Sequence, residues 1–218
     1  MSVQPEEIDR QRYTVPVRPV LAPGQAEPAA VPLMNIANIL TMARIAIVPL
    51  FVLALFAGDG HETGWRITAA ALFGIAAITD RFDGQLARKY GLVTDFGKLA
   101  DPIADKALIG SALIGLSALG DVPWWITLVI CGREIGITLL RLAVVRRGVI
   151  PAGRGGKLKT LVQSLAIAMV LLPLSGAAAT AGTVLMYAAL VLTVVTGLDY
   201  IGQAARVWFA GGSHSRGR

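Results

Sequence analysis

The sequence predicts an all-α membrane protein with six transmembrane helices and with both termini in the cytosol. Of the 218 residues, 55% are hydrophobic and only 16% are charged, and the mean hydropathy is +0.64. A soluble domain of this length needs fewer apolar residues to form its core. Apolar runs also alternate with segments that are either rich or poor in basic residues, as in a chain that crosses a bilayer repeatedly.

Six apolar runs approach the length of about 20 residues that crosses a bilayer as a helix. They cover residues 36–57, 65–79, 107–119, 124–145, 161–173 and 184–200. The second and third runs reach full length only if they include residues of the polar segment between them. We therefore expect two of the helices to extend into that segment.

The basic residues lie on alternate sides of these runs, which predicts the orientation of the chain. The segments placed inside contain Arg10, Arg12, Arg18, Arg88, Lys89, Lys98, Arg146, Arg147, Arg154, Lys157, Lys159, Arg206, Arg216 and Arg218. The loops placed outside, at 58–64, 120–121 and 175–182, have only Arg66 near their boundaries. An odd number of spans would break this separation.

Three regions are expected along the chain. Residues 1–32 contain six prolines with scattered charges and predict a disordered cytosolic tail. Residues 33–208 form the six-helix domain, and residues 209–218 form a second flexible tail. The pI near 9.9 favours anionic lipid or a phosphorylated substrate over nucleic acid, because the basic residues flank the spans on one side. The single cysteine, Cys131, excludes an intramolecular disulfide.

Five of the 14 acidic residues lie in one polar segment, TDRFDGQLARKYGLVTDFGKLADPIADK, at residues 79–106. On a helix, Asp80 and Asp83 leave the same face, and so do Asp101 and Asp105. A turn near Gly91 would let the two pairs face each other at the cytosolic ends of the second and third spans. The fifth, Asp95, does not fit this spacing and is expected at a helix N-cap or in a loop.

Four carboxylates close together near hydrocarbon must bind either protons or a cation to be neutralised, and divalent metal ions do this best. Oxygen ligands without His or Cys select hard ions such as Mg²⁺, Mn²⁺ or Ca²⁺. A pair of such ions at a membrane can hold a diphosphate and stabilise the charge that develops as a phosphorus–oxygen bond breaks. Gly84 and Ala87 would leave room for that ligand, and Arg88 could neutralise a phosphate. Acidic residues at a span end are often only a solvated terminus, but two pairs with small residues between them favour a site.

These residues fit the pattern DxxDGxxARx8Gx3Dx3D, in which Asp80, Asp83, Gly84, Ala87, Arg88, Gly97, Asp101 and Asp105 are the fixed positions. In this pattern the chain resembles the CDP-alcohol phosphotransferases. The stretches NIANILTMARIAIVPLF from Asn35, GREIGITLLRLAVVRRGVIPA from Gly132 and GKLKT from Gly156 look like those of the bacterial phosphatidylglycerophosphate synthases within that family. The resemblance covers roughly residues 34–200.

The resemblance implies the six-helix fold of that family, usually as a homodimer in the bacterial cytoplasmic membrane, with a site that opens to the cytosol. CDP-diacylglycerol would be one substrate: an acceptor hydroxyl attacks the phosphorus attached to the lipid, and CMP leaves. Asp80, Asp83 and Asp101 would bind two Mg²⁺ or Mn²⁺ ions, and Asp105 would be both a ligand and the general base. Nucleotide contacts would come from Gly84, Ala87, Arg88 and Gly97, and in the first span from Asn38, Thr41 and Arg44. A diphosphate would supply the partner that a span-buried Arg44 needs.

The acceptor is predicted from basic residues later in the chain. Arg133, Glu134 and Arg141 lie in or near the fourth span, and Lys157 and Lys159 begin the fifth. Such a cationic pocket suits an acceptor that carries a phosphate, and the resemblance of the REIG and GKLKT stretches favours glycerol 3-phosphate. Inositol phosphate and phosphatidylglycerol are alternative acceptors, and the lysines could also serve only as positive-inside anchors.

Two other classes of protein are compatible with an aspartate cluster in a membrane. An intramembrane prenyltransferase also binds a Mg²⁺-diphosphate between two Asp-rich helices, but it follows a different pattern. A cation transporter would continue its polar residues across the membrane, whereas the charges here concentrate on one side.

Overall fold

The computed structural model describes residues 36–90, 94–144 and 154–210, and within these ranges the chain forms six α-helices and no strand. The helices are α1 (Ile36–Phe56), α2 (Thr63–Tyr90), α3 (Asp95–Ala118), α4 (Trp124–Val144), α5 (Arg154–Leu171) and α6 (Gly176–Ala210). A short 3₁₀ turn, Ala57–Gly60, follows α1. The predicted all-α class is confirmed. The predicted N-terminal tail, residues 211–218 of the predicted C-terminal tail, and Gly91 lie outside the described residues.

The second and third helices extend into the aspartate-rich segment, as the lengths of their apolar runs required. α2 continues to Tyr90 and α3 begins at Asp95, so the paired aspartates of each helix lie on regular turns. Thr94 is the N-cap of α3, where its hydroxyl accepts a hydrogen bond from the Gly97 amide at 3.0 Å. Asp95 is therefore the first helical residue rather than the cap.

The core lies where α1 packs against α2 and α3, with α5 and α6 paired beside them and α4 in contact with α3 and α6. Phe51 of α1 and Phe73 of α2 are buried, and their ring centroids are 6.0 Å apart. Gly115 allows α1 and α3 to approach closely. A Cβ atom at this position would lie only 2.5 Å from the Leu55 side chain, so a larger residue would force the two helices or that side chain to shift. Close approach at a small residue is how helices gain packing contacts where the surroundings are themselves apolar.

The outer surface of the bundle is also apolar. Leu53, Leu128 and Leu198 are more than 60% exposed, which is the opposite of a soluble helical protein. In the described part of the chain, two helical segments have the length and composition to cross a membrane: Asn38–Gly60 and Gly176–Arg206, with mean hydropathies of 2.4 and 2.0. That all six helices span a membrane, with both termini in the cytosol, stays a prediction.

A largely buried ion pair and a hydrogen bond join α2, the α3–α4 connection and α5 at one end of the bundle. Arg66, at the start of α2, lies 2.7 Å from the Asp121 carboxylate in the α3–α4 connection and donates to the Val170 carbonyl near the end of α5 at 3.2 Å. All three positions lie at or beside segments that the charge pattern places outside. The aspartates of the polar segment, by contrast, lie toward the other ends of α2 and α3.

Candidate active site

One face of α1 carries three buried polar side chains in an otherwise apolar helix. Asn38, Thr41 and Arg44 follow at intervals of three residues, which places them on approximately one face. Each is no more than 3% exposed. Burial of a polar group costs free energy unless the group has a hydrogen-bonding or ionic partner. Here the partners come from the aspartate-rich segment.

Thr41 and Arg44 each contact a different aspartate. The Arg44 guanidinium lies 2.8 Å from the Asp80 carboxylate of α2, and the Thr41 hydroxyl donates to Asp101 of α3 at 2.5 Å. α1 therefore holds one carboxylate from each of the two neighbouring helices. The sequence predicts a diphosphate as the partner of Arg44, whereas in this structure a carboxylate of the predicted metal site pairs with it.

Asn38 is fixed by the N-terminus of α3. The Thr94 hydroxyl donates to the Asn38 side-chain oxygen at 2.8 Å while it accepts from the Gly97 amide. A Cβ atom at Gly97 would lie 2.9 Å from that Asn38 oxygen and 3.3 Å from the Thr94 hydroxyl. Glycine is thus required at this position for α1 to approach α3, whatever ligand also binds here.

Three aspartates of the signature lie within electrostatic reach of one another. Asp80 of α2 is repelled by Asp101 of α3, and Asp105 is repelled by Asp80. Like charges at this spacing favour a bound cation, and oxygen donors alone suit a hard divalent ion, so these residues fit the predicted metal by donor chemistry. Among the side chains that the structure describes, no group of three or more potential ligands is close enough to hold an ion. Asp83, whose side chain is outside that set, would be the fourth ligand.

A cavity of about 200 Å³ opens beside Asp105, between α3, α4 and α5. Its lining divides into two layers one helical turn apart. The charged layer consists of Asp105, Lys106, Glu134, Lys159 and Thr160. The apolar layer, which also contains one amide, consists of Ile109, Gly110, Ile130, Cys131 and Gln163, and Ile114 and Ile135 complete the wall.

Glu134 is the centre of the charged layer. The Lys159 ammonium forms a close ion pair and hydrogen bond with its carboxylate, Arg133 donates to the same carboxylate oxygen at 3.0 Å, and the Lys106 ammonium lies 3.9 Å from the other oxygen. Lys159 is only 5% exposed. A buried ammonium that is held by a carboxylate beside an open cavity is suited to bind an anionic group.

Arg133 reaches this centre from the α6 side. Its guanidinium also donates to the Thr196 hydroxyl at 3.0 Å, and its side chain lies over Gly197, where a Cβ atom would be 3.1 Å from Cγ and 3.2 Å from Nε. Arg133 is not among the residues that line the cavity. It therefore orients Glu134, and through Glu134 also Lys159.

The structure brings together most of the predicted site residues that it describes. Asn38, Thr41, Arg44, Asp80, Gly97, Asp101 and Asp105 lie in one contiguous group, and Glu134 and Lys159 line the adjoining cavity. Lys157 is exposed and lies outside the cavity wall. The backbone alone is described for Asp83, Gly84, Ala87 and Arg88 in α2 and for Arg141 in α4, so the contacts of their side chains stay predictions.

Sequence reasoning missed five residues of this region. Lys106, Thr160 and Gln163 line the cavity, while Thr94 and Thr196 hold Asn38 and Arg133. Helical periodicity could have identified one of them. Gln163 follows Lys159 by four residues and therefore lies on the same face of α5 as a residue that the sequence had already indicated.

Comparison with known proteins agrees with these features. A family model described as CDP-alcohol phosphatidyltransferase matches residues 34–195. A protein of Mycobacterium tuberculosis named "Probable phosphatidylglycerophosphate synthase" is 58% identical over 195 residues, which cover 89% of this chain and 93% of that protein. Proteins named CDP-diacylglycerol–glycerol-3-phosphate 3-phosphatidyltransferase are 38% identical over 181 residues in Bacillus subtilis and 37% identical over 177 residues in Escherichia coli. These matches cover 77% and 78% of this chain and 94% of each relative.

Proposed function

The chain belongs to the CDP-alcohol phosphatidyltransferase family, and from this membership we propose that it transfers the phosphatidyl group of CDP-diacylglycerol to glycerol 3-phosphate. The products are phosphatidylglycerophosphate and CMP. The substrates named for the relatives from B. subtilis and E. coli support this reaction. In this structure the proposal is supported most directly by the position of Asp105, which lies within electrostatic range of Asp80 and in the wall of the cationic cavity.

Asp80, Asp83, Asp101 and Asp105 are the residues that would hold the divalent ions that the family generally uses, with two Mg²⁺ or Mn²⁺ as our proposal. Such ions would neutralise the diphosphate and stabilise the charge that develops on it in the transition state. The chain itself supplies the positioning. Arg44 and Thr41 orient the carboxylates from the α1 side, and Asn38 faces the same region with Thr94 as its support.

The reaction is a displacement at the phosphorus that is attached to diacylglycerol. The hydroxyl oxygen of the acceptor forms a bond to this phosphorus, the bond to the CMP oxygen breaks, and Asp105 accepts the hydroxyl proton. A carboxylate is a weak base for an alcohol, but in a loose transition state the proton leaves late, so the demand on the base is modest. Asp105 suits this role because it joins the aspartate group to the cavity.

The cavity is the proposed site of the acceptor. Lys159, which Glu134 holds in place, and Lys106 would bind the phosphate of glycerol 3-phosphate. The volume of about 200 Å³ lies below the range of about 300–1,000 Å³ for drug-sized ligands and suits a smaller molecule. Arg133 and Lys157 lie outside the cavity wall, so the proposal assigns them no direct contact with the acceptor. A contact with Arg141 stays a prediction.

We also propose that all six helices span the bacterial cytoplasmic membrane, with the aspartates toward the cytosol and with a second copy of the chain as partner. Trp65, Trp124 and Trp125 support this orientation. Each is about half exposed at the N-terminal end of its helix, close in sequence to Arg66 and Asp121. Tryptophan concentrates at membrane interfaces, so this end would lie at the outer interface, with the basic segments on the other side.

A product assay tests the reaction. Purified protein is given CDP-diacylglycerol and Mg²⁺ with glycerol 3-phosphate, inositol 1-phosphate, serine or phosphatidylglycerol, and the lipid products are separated. We expect phosphatidylglycerophosphate and an equal amount of CMP with glycerol 3-phosphate alone. Asp105→Asn should form no product while it still binds the nucleotide, since the amide cannot accept the proton.

Three results would contradict the proposal in different ways. If product formed with inositol 1-phosphate or phosphatidylglycerol instead of glycerol 3-phosphate, the acceptor would be a different one but the class of reaction would be the same. Full turnover by Asp105→Asn would show that Asp105 is not the general base. The absence of CMP with every acceptor would exclude the transfer itself.

A further inference from the structure

Gln163 of α5 carries a buried side-chain amide. It is 2% exposed, and among the described residues neither its side-chain oxygen nor its nitrogen has a hydrogen-bond partner. Leaving such a group unpaired costs about 1–3 kcal/mol, whereas a leucine or methionine would fill the same space at no such cost. An amide of this kind in the wall of a cavity is suited to a partner that binds in the cavity only at certain times.

The position of Gln163 indicates where that partner would be. Gln163 forms part of the cavity wall one turn beyond Lys159. The other side chains of its layer, including Ile109 and Ile130, are apolar except for the thiol of Cys131, which is a weak donor. Gln163 is therefore the one strong hydrogen-bonding side chain in the apolar layer.

The two layers match the shape of a short polyol phosphate. In the proposed function the phosphate would bind at Lys159 and Lys106 and the attacking hydroxyl would lie at Asp105, so the charged layer of the cavity wall would hold both ends of a three-carbon acceptor. Its middle carbon then turns toward the apolar layer, about 5.4 Å along the helices. The hydroxyl on that carbon needs one partner that can donate or accept, and a carboxamide can do either.

We propose that Gln163 recognises the middle hydroxyl of the acceptor and thereby selects glycerol 3-phosphate over phosphorylated alcohols that lack it. This inference rests on the proposed function, because it uses the acceptor position given by Asp105 and Lys159. A pocket that is built to bond a hydroxyl discriminates strongly against the analogue without it, since the amide is then left unpaired.

The test pairs a substrate change with a residue change. 3-Hydroxypropyl phosphate keeps the phosphate and a terminal hydroxyl but lacks the middle hydroxyl. With the unmodified protein we expect kcat/KM for glycerol 3-phosphate to exceed that for the analogue by about tenfold or more, the effect of one buried hydrogen bond. Gln163→Met, which is similar in length but has no amide, should reduce this ratio to within about twofold.

Controls separate recognition from general damage. Gln203→Met makes the same substitution on α6, where the amide bonds Asp199 at 2.8 Å, and should keep the original ratio. The KM for CDP-diacylglycerol should not change in either variant. Gln163→Met should unfold at the same or a higher temperature than the unmodified protein, because it removes an unpaired buried amide. A role in folding alone predicts a lower unfolding temperature instead.

A second measurement does not depend on turnover or on a variant. Cys131 is the sole cysteine of the chain and lies in the cavity wall, so its labelling by a methanethiosulfonate reagent reports whether the cavity is occupied. Glycerol 3-phosphate should slow the labelling at a concentration at which 3-hydroxypropyl phosphate has little effect. Equal protection by both compounds, or an unchanged kcat/KM ratio in Gln163→Met while the unmodified protein still forms product, would overturn this inference and leave the proposed function standing. Absence of product in the unmodified protein would instead contradict the function.

Discussion

The side-chain oxygen of Asn38 limits which residue can occupy position 97. This oxygen accepts a hydrogen bond from Thr94 and lies where a Cβ atom of residue 97 would be, at 2.9 Å. Real Cβ contacts are longer than this, so a larger residue must displace the amide. Gly97 belongs to the sequence signature, and its steric role here explains its place in the pattern without requiring a direct contact with nucleotide.

Gly97→Ala is expected to rotate the Asn38 amide away and to break its bond with Thr94. The KM for CDP-diacylglycerol should rise about tenfold, since one buried hydrogen bond on the nucleotide side is lost, while the KM for glycerol 3-phosphate should change little. Steady-state kinetics with each substrate varied in turn measure both constants. Gly74→Ala is the matched control, because nothing lies within 4 Å of its added Cβ atom and alanine favours the helix. Equal KM values in the two variants would show that Gly97 has no steric role at the site.

The contact between α4 and α6 positions the charged layer of the cavity. Thr196 and Gly197 of α6 form the surface on which Arg133 lies, and Arg133 in turn bonds Glu134. The Arg133 Nε atom is buried and has no partner among the described residues, which indicates that packing as well as hydrogen bonding holds this side chain. None of the α6 side chains that the structure describes lines the cavity, yet α6 influences the geometry inside it.

Gly197→Leu is expected to push Arg133 off α6 and to disturb the pairing of Glu134 with Lys159. The KM for glycerol 3-phosphate should rise by about tenfold, corresponding to about 1.4 kcal/mol in one charged contact, with the KM for CDP-diacylglycerol within about twofold. Gly202→Leu on the same helix, where nothing lies within 4 Å, should leave both constants unchanged. If Gly197→Leu raised both constants equally, the damage would be general and α6 would have no specific role in positioning.

At the scale of the whole bundle, a stabilising ion pair and the candidate site lie at opposite ends of α2 and α3. The Arg66–Asp121 pair ties α2, the α3–α4 connection and the end of α5 together, and it lies away from the aspartates of α2 and α3. Arg66 is 6% exposed, so its positive charge is buried, and the Asp121 carboxylate neutralises it. Breaking a buried ion pair by removing one partner costs more than replacing both partners with apolar groups.

Asp121→Ala should lower the unfolding free energy by about 3 kcal/mol, which corresponds to a decrease of about 6–12 °C in Tm for a chain of this size. The double variant Arg66→Met with Asp121→Ala should recover most of the loss, because the unpaired charge is then absent. Thermal unfolding in detergent measures both. Below the unfolding temperature, the KM values of Asp121→Ala should equal those of the unmodified protein. A double variant that is as unstable as Asp121→Ala would show that the pair itself stabilises the fold.

The chemistry of the site could be predicted from the sequence because it depends on residue types at fixed helical spacing. Asp80, Asp101 and Asp105 lie on regular turns of α2 and α3, and their like charges imply a cation wherever the two helices meet. The same local rule placed Thr41 and Arg44 on one face of α1. The all-α class followed in the same way from apolar runs of sufficient length.

Only the tertiary structure could decide which groups act across helices. That Arg44 pairs with Asp80, that Arg133 lies on Gly197 of α6, and that Gln163 shares a cavity with Asp105 all depend on contacts between residues 36 or more positions apart. Helical periodicity specifies a face of one helix but not the helix that packs against it. Packing also selects among residues of the same type: Lys157 and Lys159 lie two positions apart on α5, yet burial beside Glu134 places only Lys159 in the cavity wall.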